Sequence, residues 1–262
     1  MAECIGTYTY KVESFHLDCT ERLSFAVLGN QLLNAAARHA ESYGFGREAL
    51  RQRDLAWVFS RLLIQMDKPL REFDTYTVQT WVVDATRWFS HRNFAILDAE
   101  GNAVGYASSV WALMDLATRK AADISLLLPG YSDIVCPEGT APDCPLERTR
   151  RPIVTTAEPA LVFRPLFCDI DYNGHFNSIR YIEHLLDALP MDVCRNHPIR
   201  RIEINYNAEC HYGEVLAVYV ATADDGEYDA EIRKEDGSVS CRCKVLFALN
   251  SSSPNGLSSN NK

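Results

Sequence analysis

One arrangement of residues occurs twice in this chain, and it restricts the folds that the chain can adopt. In the first half, apolar residues at helical spacing between Leu32 and Tyr43 predict a helix, and Gly44 follows as its C-cap. Strand-like segments then occupy 57–66, 75–83, 91–97 and 104–114, with a hairpin turn at 99–102. A helix followed by an antiparallel meander can bury its apolar stripe against that sheet.

The second half repeats this order. Apolar residues between Ile179 and Leu189 mark one face of a second helix, which Pro190 ends. Strand-like segments follow at 201–207, 214–223, 228–234 and 239–249, with Asp236-Gly237 as a turn. We therefore predict an α+β chain formed by internal duplication, in which two units lie side by side and each sheet wraps one long helix.

Composition places the boundaries of the two units. Proline and glycine interrupt the stretch 129–155, which has no periodicity, and this pattern predicts a solvated crossover linker. The N-terminal unit then covers 1–128 and the C-terminal unit 156–250. Residues 251–262 are polar and contain no aromatic side chain, so we predict a disordered tail.

The bulk properties exclude several classes of protein. A formal net charge of -9 argues against nucleic acid as the main partner. No run of apolar residues is long enough to span a bilayer, and the amino terminus does not resemble a secretion signal. Nine cysteines, an odd number, are interpreted as reduced thiols. These features predict a cytoplasmic protein.

Polar residues are concentrated immediately before the second predicted helix. Asp171, Asn173, Gly174, His175 and Asn177 lie within seven positions. Helix capping alone explains an asparagine or an aspartate there, but it does not require the whole set. The first-turn N–H groups of a helix can bind an oxyanion, and the imidazole and amide can orient a water molecule or a carbonyl. Glycine would let a substrate approach the backbone closely.

A second polar feature, Glu209-Cys210, follows the first strand after that helix. If this strand runs back past the start of the helix, the carboxylate lies near His175. There Glu209 could act as a general base for water. A thiolate of Cys210 paired with His175 is an alternative nucleophile, and a small packing residue beside the glutamate is the structural alternative for Cys210.

The segment DIDYNGHFNSIRYIEHLLDALP resembles the signature of the acyl-acyl carrier protein (ACP) thioesterases of plant plastids and bacteria. Glu209-Cys210, 34 residues after His175, matches the same family, as does the first half from about residue 10 onward. The resemblance implies two tandem hotdog units and hydrolysis of fatty acyl-ACP without a metal or other cofactor. It implies Asp171, Asn173, His175 and Glu209 as catalytic positions. The short amino terminus fits the bacterial branch better than the plant one. As a separate expectation, the chain could form a homodimer.

In the mechanism that we expect, Glu209 takes a proton from the attacking water while helix N–H groups near His175 and Phe176 hold the oxyanion. Asn173 and His175 position the reactants, and Asp171 orients this pair. Direct attack by Glu209, which would give an acyl anhydride, stays open.

The first half has Pro69 where the second has Glu209, and small residues at 35–37 on its helix. We expect this half to bind the acyl tail, and the resemblance implies that it also selects chain length. Candidate tail-binding residues are Leu32, Leu33, Trp57, Met66 and Trp81.

Three other functions remain open from the sequence. They are hydrolysis of acyl-coenzyme A, dehydration of a 3-hydroxyacyl group by a hotdog enzyme, and acyl binding without catalysis. An acidic chain that meets an acidic carrier needs a local basic patch. The candidates are Arg47, Arg51, Arg53, Arg148, Arg150, Arg151, Arg195, Arg200 and Arg201.

Overall fold

The computed structural model of the chain describes residues 3–127, 130–147, 150–224 and 226–248. The predicted tail at 251–262 and Arg148 of the predicted basic patch lie outside these ranges. Within them, no helix has the length and apolar character needed to cross a bilayer.

Among the described residues, the N-terminal half contains two α-helices and six strands. Ser24 caps the long helix α1 (Phe25–Ser42) by accepting a hydrogen bond from the Val27 N–H at 3.2 Å, and Gly44 follows it with φ +77°. The other elements are β1 (Gly6–Lys11), α2 (Arg47–Arg51), β2 (Leu55–Met66), β3 (Thr75–Ala85), β4 (Phe89–Leu97), β5 (Ala103–Asp115) and β6 (Lys120–Ala121).

The C-terminal half repeats the plan with a shorter central helix. Pro190 does more than end that helix, because it also stands at the N-cap of the following one. The elements are β7 (Leu161–Phe163), α3 (Ser178–Asp187), α4 (Met191–Asn196), β8 (Ile199–Tyr206), β9 (Leu216–Asp224), β10 (Glu227–Lys234) and β11 (Val239–Phe247).

The strands of both halves form one antiparallel sheet. Along it the order is β1-β3-β4-β5-β2-β8-β11-β10-β9-β7, and β6 pairs with β5. The halves join where β2 pairs with β8, from Arg61 opposite Asn205 to Gln65 opposite Arg201. The predicted α+β architecture of two units side by side is confirmed.

The two central helices meet in a core that both halves share. Leu28 and Leu32 of α1, Ile179 and Ile182 of α3, and Ile204 of β8 are all at most 1% exposed. A Cβ on Gly29 would lie 2.8 Å from Ile179 Cδ1, so α1 approaches α3 closely at this glycine. Each such buried side chain contributes roughly 1.5–3 kcal/mol.

The sequence patterns missed the shortest elements and misjudged the crossover. Strands β1, β6 and β7 and helices α2 and α4 were not predicted, because each is too short or too irregular to show a clear period. In the crossover, Tyr131 and Ile134 are buried against the N-terminal half. The expectation of a solvated linker is therefore wrong for this part of it.

Candidate active site

The polar loop before α3 is folded by Asp171. Its Oδ1 atom accepts the backbone N–H groups of Asn173 at 2.8 Å and His175 at 3.1 Å. Its own N–H donates to the His175 carbonyl at 2.8 Å, and Gly174 completes the turn with φ +82°. The aspartate thus holds the backbone of the loop in place, and this fixes the position of the His175 Cα atom from which the imidazole side chain extends.

The N–H groups of His175 and Phe176, just before α3, are already engaged. Asn177 caps the helix by accepting the N–H two residues further on at 2.8 Å. The His175 N–H donates to Asp171, and the Phe176 N–H donates to the Cys210 carbonyl at 2.7 Å. Of the helix N–H groups near His175 and Phe176 that we expected to hold an oxyanion, these two amides are therefore excluded, since each already has an acceptor.

The segment after β8 lies directly beside this loop. A β-bridge pairs His175 with His211, and the Phe176–Cys210 hydrogen bond lies next to it. As a result the Glu209 Oε2 atom lies 3.5 Å from His175 Nε2. The structure brings together the two residues that the sequence placed 34 positions apart.

Cys210 points away from this polar group. Its side chain is fully buried, and burial raises the pKa of the thiol above its usual value. Hydrogen bonds involving Tyr181 and Ser240 lower that pKa, but they are the smaller effect. A buried, protonated thiol is a poor nucleophile, so the structure favours the packing role for Cys210.

Two residues at the site were missed from the sequence. The guanidinium of Arg119, on the turn between β5 and β6 of the N-terminal half, forms an ion pair with Glu209 Oε2. The His211 ring lies 5.2 Å from that of His175 between centroids. Its adjacency to Glu209-Cys210 was a usable signal for His211, whereas no local pattern marks Arg119.

His175, Glu209 and His211 also have the composition of a metal site. Their ligand atoms lie within 4.8 Å of one another, and two imidazoles with one carboxylate suit zinc. The guanidinium of Arg119, however, already pairs with the carboxylate of Glu209. A metal ion that bound Glu209 would therefore have to displace the Arg119 guanidinium, whose positive charge would also repel the ion.

A cavity of about 870 Å³ opens at these residues and is lined by both halves. The N-terminal half contributes residues of α1, α2, β2 and β5, including Ala36, Ala40, Leu50, Trp57, Phe59 and Trp111. The C-terminal half contributes Asp171, Asn173, His175, Asn177, Tyr206 and Glu209. This volume suits a small molecule or an acyl chain.

The predicted tail-binding residues divide into two groups. Leu33 and Trp57 line the cavity. Leu32, Met66 and Trp81 are not among its lining residues and are buried in the cores. Apolar periodicity identifies a buried face, but it does not separate a cavity wall from packed core.

Part of the cavity wall is polar. Arg92 is 4% exposed, lines the cavity, and donates to His39 Nδ1 at 3.0 Å and Thr80 Oγ1 at 3.1 Å. Burial lowers the pKa of Arg92 to about 10. Burial and the neighbouring Arg92 lower the pKa of His39 to about 4, so this imidazole stays neutral and can accept the hydrogen bond.

The N-terminal half contains a counterpart of the polar loop. The Asp18 N–H donates to the Arg22 carbonyl, and Asp18 Oδ1 accepts the Thr20 N–H, each at 2.8 Å. The Leu23 N–H donates to the Leu70 carbonyl at 2.9 Å. These bonds repeat those of Asp171, Asn173, His175, Phe176 and Cys210 in the C-terminal half.

The comparison of the two loops distinguishes the residues that fold the loop from those that could take part in a reaction. Asp18 retains the aspartate that folds the loop, and Ser24 retains the helix cap. In contrast, Arg22 replaces His175, and Pro69, which precedes Leu70, stands at the position of Glu209. The polar counterparts of the site thus lie at residues 18–24 and not at the alanines 35–37 of α1.

Known proteins resemble the chain along most of its length. Residues 6–126 match the acyl-ACP thioesterase N-terminal domain, and residues 155–249 match the acyl-ACP thioesterase C-terminal domain. The crystal structure of an acyl-ACP thioesterase from Bacteroides thetaiotaomicron is 42% identical, with a TM-score of 0.86 over 94% of this chain and 98% of that one.

More distant relatives are plant proteins. The 12:0-ACP thioesterase from Umbellularia californica shares the fold, with a TM-score of 0.83 at 20% identity over 95% of this chain and 98% of that one. The chloroplastic oleoyl-acyl carrier protein thioesterase 1 of Arabidopsis thaliana is 24% identical over 229 residues. That match covers 82% of this chain and 63% of the plant protein's length.

The burial of Cys210 predicts its reactivity. Brief treatment of the native protein with iodoacetamide should alkylate the exposed Cys19 and Cys168 and spare Cys210, as read by peptide mass spectrometry. Protein unfolded in guanidinium chloride is the control, in which Cys210 should be alkylated as well. Labelling of native Cys210 as fast as Cys168 would contradict the buried position.

Proposed function

We propose that this chain, which belongs to the acyl-ACP thioesterase family, hydrolyses the thioester that joins a fatty acyl group to acyl carrier protein. The products are a free fatty acid and the holo carrier. The observation that carries the proposal is the position of Glu209 beside His175 at a cavity large enough for an acyl chain.

We assign Glu209 as the general base. Its polar contacts to His175 and Arg119 both involve Oε2, so Oε1 has no partner among the described residues. In the proposed reaction Oε1 takes a proton from water, the water oxygen attacks the carbonyl carbon, and the carbon–sulfur bond breaks. The proton then passes to the leaving thiolate.

The oxyanion needs donors other than the two engaged amides. The side-chain amides of Asn173 and Asn177 line the cavity, and we assign this role to their NH₂ groups. His175 positions the water and the carboxylate. Attack by Glu209 itself would instead form an acyl anhydride and release the thiolate. Water that then attacks the glutamyl carbonyl of the anhydride would leave ¹⁸O in the Glu209 side chain after a single turnover in ¹⁸O-water.

Asp171 is assigned a positioning role. It accepts two backbone N–H groups of the loop, and the N-terminal half keeps Asp18 at the same place although Pro69 has replaced the base. An aspartate retained where the other chemical groups are lost is explained by its folding of the loop.

The N-terminal half is proposed to bind the acyl tail. Its α1, α2, β2 and β5 residues form most of the apolar cavity wall, with Leu33 and Trp57 among them. This assignment gives the predicted units 1–128 and 156–250 different tasks, tail binding and catalysis.

The carrier is proposed to approach the cavity mouth, where Arg47 and Arg51 of α2 are exposed. The Arg47 guanidinium lies 4.6 Å from the Tyr172 ring and so links α2 to the catalytic loop. Two other candidates are less suited to docking. Arg201 is buried beside Glu203, and Arg150 pairs with Asp229 at 2.7 Å.

Family membership favours acyl-ACP over the rival substrates. Thiol release from matched acyl-ACP and acyl-coenzyme A tests this choice, and a dehydratase would remove water from a 3-hydroxyacyl group without releasing thiol. A cytoplasmic location agrees with nine unpaired cysteines among the described residues. A homodimer stays a prediction.

Replacing the proposed base tests the mechanism. Glu209→Gln should lower kcat for thiol release from acyl-ACP by about 10²- to 10⁴-fold, because an amide cannot take the proton. Glu183→Gln is the matched control, since Glu183 forms a partly exposed pair with Arg180 on α3 away from the cavity lining. A Glu209→Gln enzyme as active as this control would remove the general base.

Filling the tail cavity tests the task of the N-terminal half. Ala36 of α1 is 4% exposed and lines the cavity, so Ala36→Leu should shorten the space for the tail. We expect about tenfold slower turnover of the longest acyl-ACP and little change with the shortest. An equal loss at every chain length, in a protein of unchanged Tm, would contradict tail binding there.

A further inference from the structure

We infer that Arg119 is a positioning residue for Glu209, so that the N-terminal half completes the catalytic group of the C-terminal half. The inference rests on the proposed function, because it assigns Arg119 a role in the same reaction. It extends the task of the N-terminal half beyond binding the acyl tail.

The backbone at Arg119 is tightly fixed. Its N–H donates to the Asp115 carbonyl at 2.9 Å, and Asp115 Oδ1 accepts both the N–H and the hydroxyl of Thr118, at 2.7 and 2.9 Å. Arg119 itself adopts φ +58°, in the left-handed region that favours glycine. An arginine held in this costly conformation indicates that its side chain is needed.

That side chain has one ionic partner in the described part of the chain, Glu209. The guanidinium binds the Oε2 atom, which is also the atom closest to His175 Nε2. Two groups from different halves thus hold one oxygen of the carboxylate. The other oxygen, Oε1, is left to accept a proton, which is the arrangement that a general base requires.

Stability does not explain the pair. The Arg119 and Glu209 side chains are 45% and 34% exposed, and ion pairs with that much solvent contact contribute little to folding. Both residues also line the cavity. The geometry therefore points to a role in catalysis rather than in holding the halves together.

The position of the arginine in the fold explains how it reaches the site. Strand β5 is separated from β8 by β2 alone. The short strand β6 pairs antiparallel with the end of β5 through Met114–Ala121 and Asp115–Lys120. Leu55 of β2 pairs with Asp115 of β5, and Arg61 of β2 pairs with Asn205 of β8, so the turn that carries Arg119 and the segment after β8 lie at the same end of β2, on opposite sides of the seam. Docking of β2 on β8 sets the distance between the two charged groups.

Steady-state kinetics with acyl-ACP tests this role. Arg119→Ala should lower kcat by about 10- to 100-fold with little change in KM, and Arg119→Lys should recover part of the loss. Arg87→Ala is the matched control, because Arg87 forms an exposed pair with Asp123 at 2.8 Å in the same half and does not line the cavity. The Tm of all three variants should stay near that of the wild type.

A double-mutant cycle separates action through Glu209 from any other role. If Arg119 works by positioning Glu209, Arg119→Ala should have little further effect on kcat in a Glu209→Gln background. Unchanged kcat in Arg119→Ala, a rise in KM alone, or full additivity with Glu209→Gln would each overturn the inference. Failure of the proposed function is distinct, since it would appear as wild-type enzyme without thiol release or as a fully active Glu209→Gln.

Discussion

A single backbone hydrogen bond, from the Phe176 N–H to the Cys210 carbonyl, determines the geometry of the site. It joins the loop that begins α3 to the segment that leaves β8, and the adjacent bridge between His175 and His211 continues the pairing. Because the two segments are held side by side, the imidazole and the carboxylate need only their ordinary side-chain lengths to meet. The same bond removes the Phe176 amide from the set of possible oxyanion donors.

The two halves show what this pairing needs and what it does not. The Leu23 N–H bonds the Leu70 carbonyl in the N-terminal half, so the loop is held there by an equivalent contact. Asp18 folds that loop as Asp171 folds the other, yet Arg22 and Pro69 occupy the positions of the imidazole and the base. The same scaffold is therefore present in both halves, while the proposed chemistry is concentrated in one of them.

Local patterns in the sequence predict the helices and strands that have a clear hydrophobic period. They do not predict contacts between residues far apart in sequence, or which apolar side chains line a cavity. Helices α1 and α3 and the eight longer strands follow from apolar spacing, and Asn177 follows from its place before a helix. The contact of Glu209 with His175 was predicted by running a strand back past the helix start. The contact therefore depends on strand topology as well as on sequence spacing.

Other features depend on how the halves dock, which no local pattern encodes. Arg119 reaches Glu209 across 90 positions of sequence. Its role depends on the pairing of β2 with β8. Trp57 lines the cavity and Trp81 lies in a core cluster, and this difference depends on which apolar faces of the sheet are covered by packing. The sequence likewise does not indicate that Arg92 lines the cavity, because an arginine on a strand is ordinarily a surface residue.

In the proposed reaction one cavity, built by both halves, places a thioester against Glu209 while its acyl tail lies in the N-terminal half. A crystal structure of the protein with a non-hydrolysable thioether analogue of acyl-phosphopantetheine tests this most directly. We expect the reacting carbon within about 4 Å of Glu209 Oε1, or one water away, and the alkyl chain against Ala36 and Trp57. An analogue bound with its chain outside this cavity, or with its reacting carbon remote from Glu209, would contradict it.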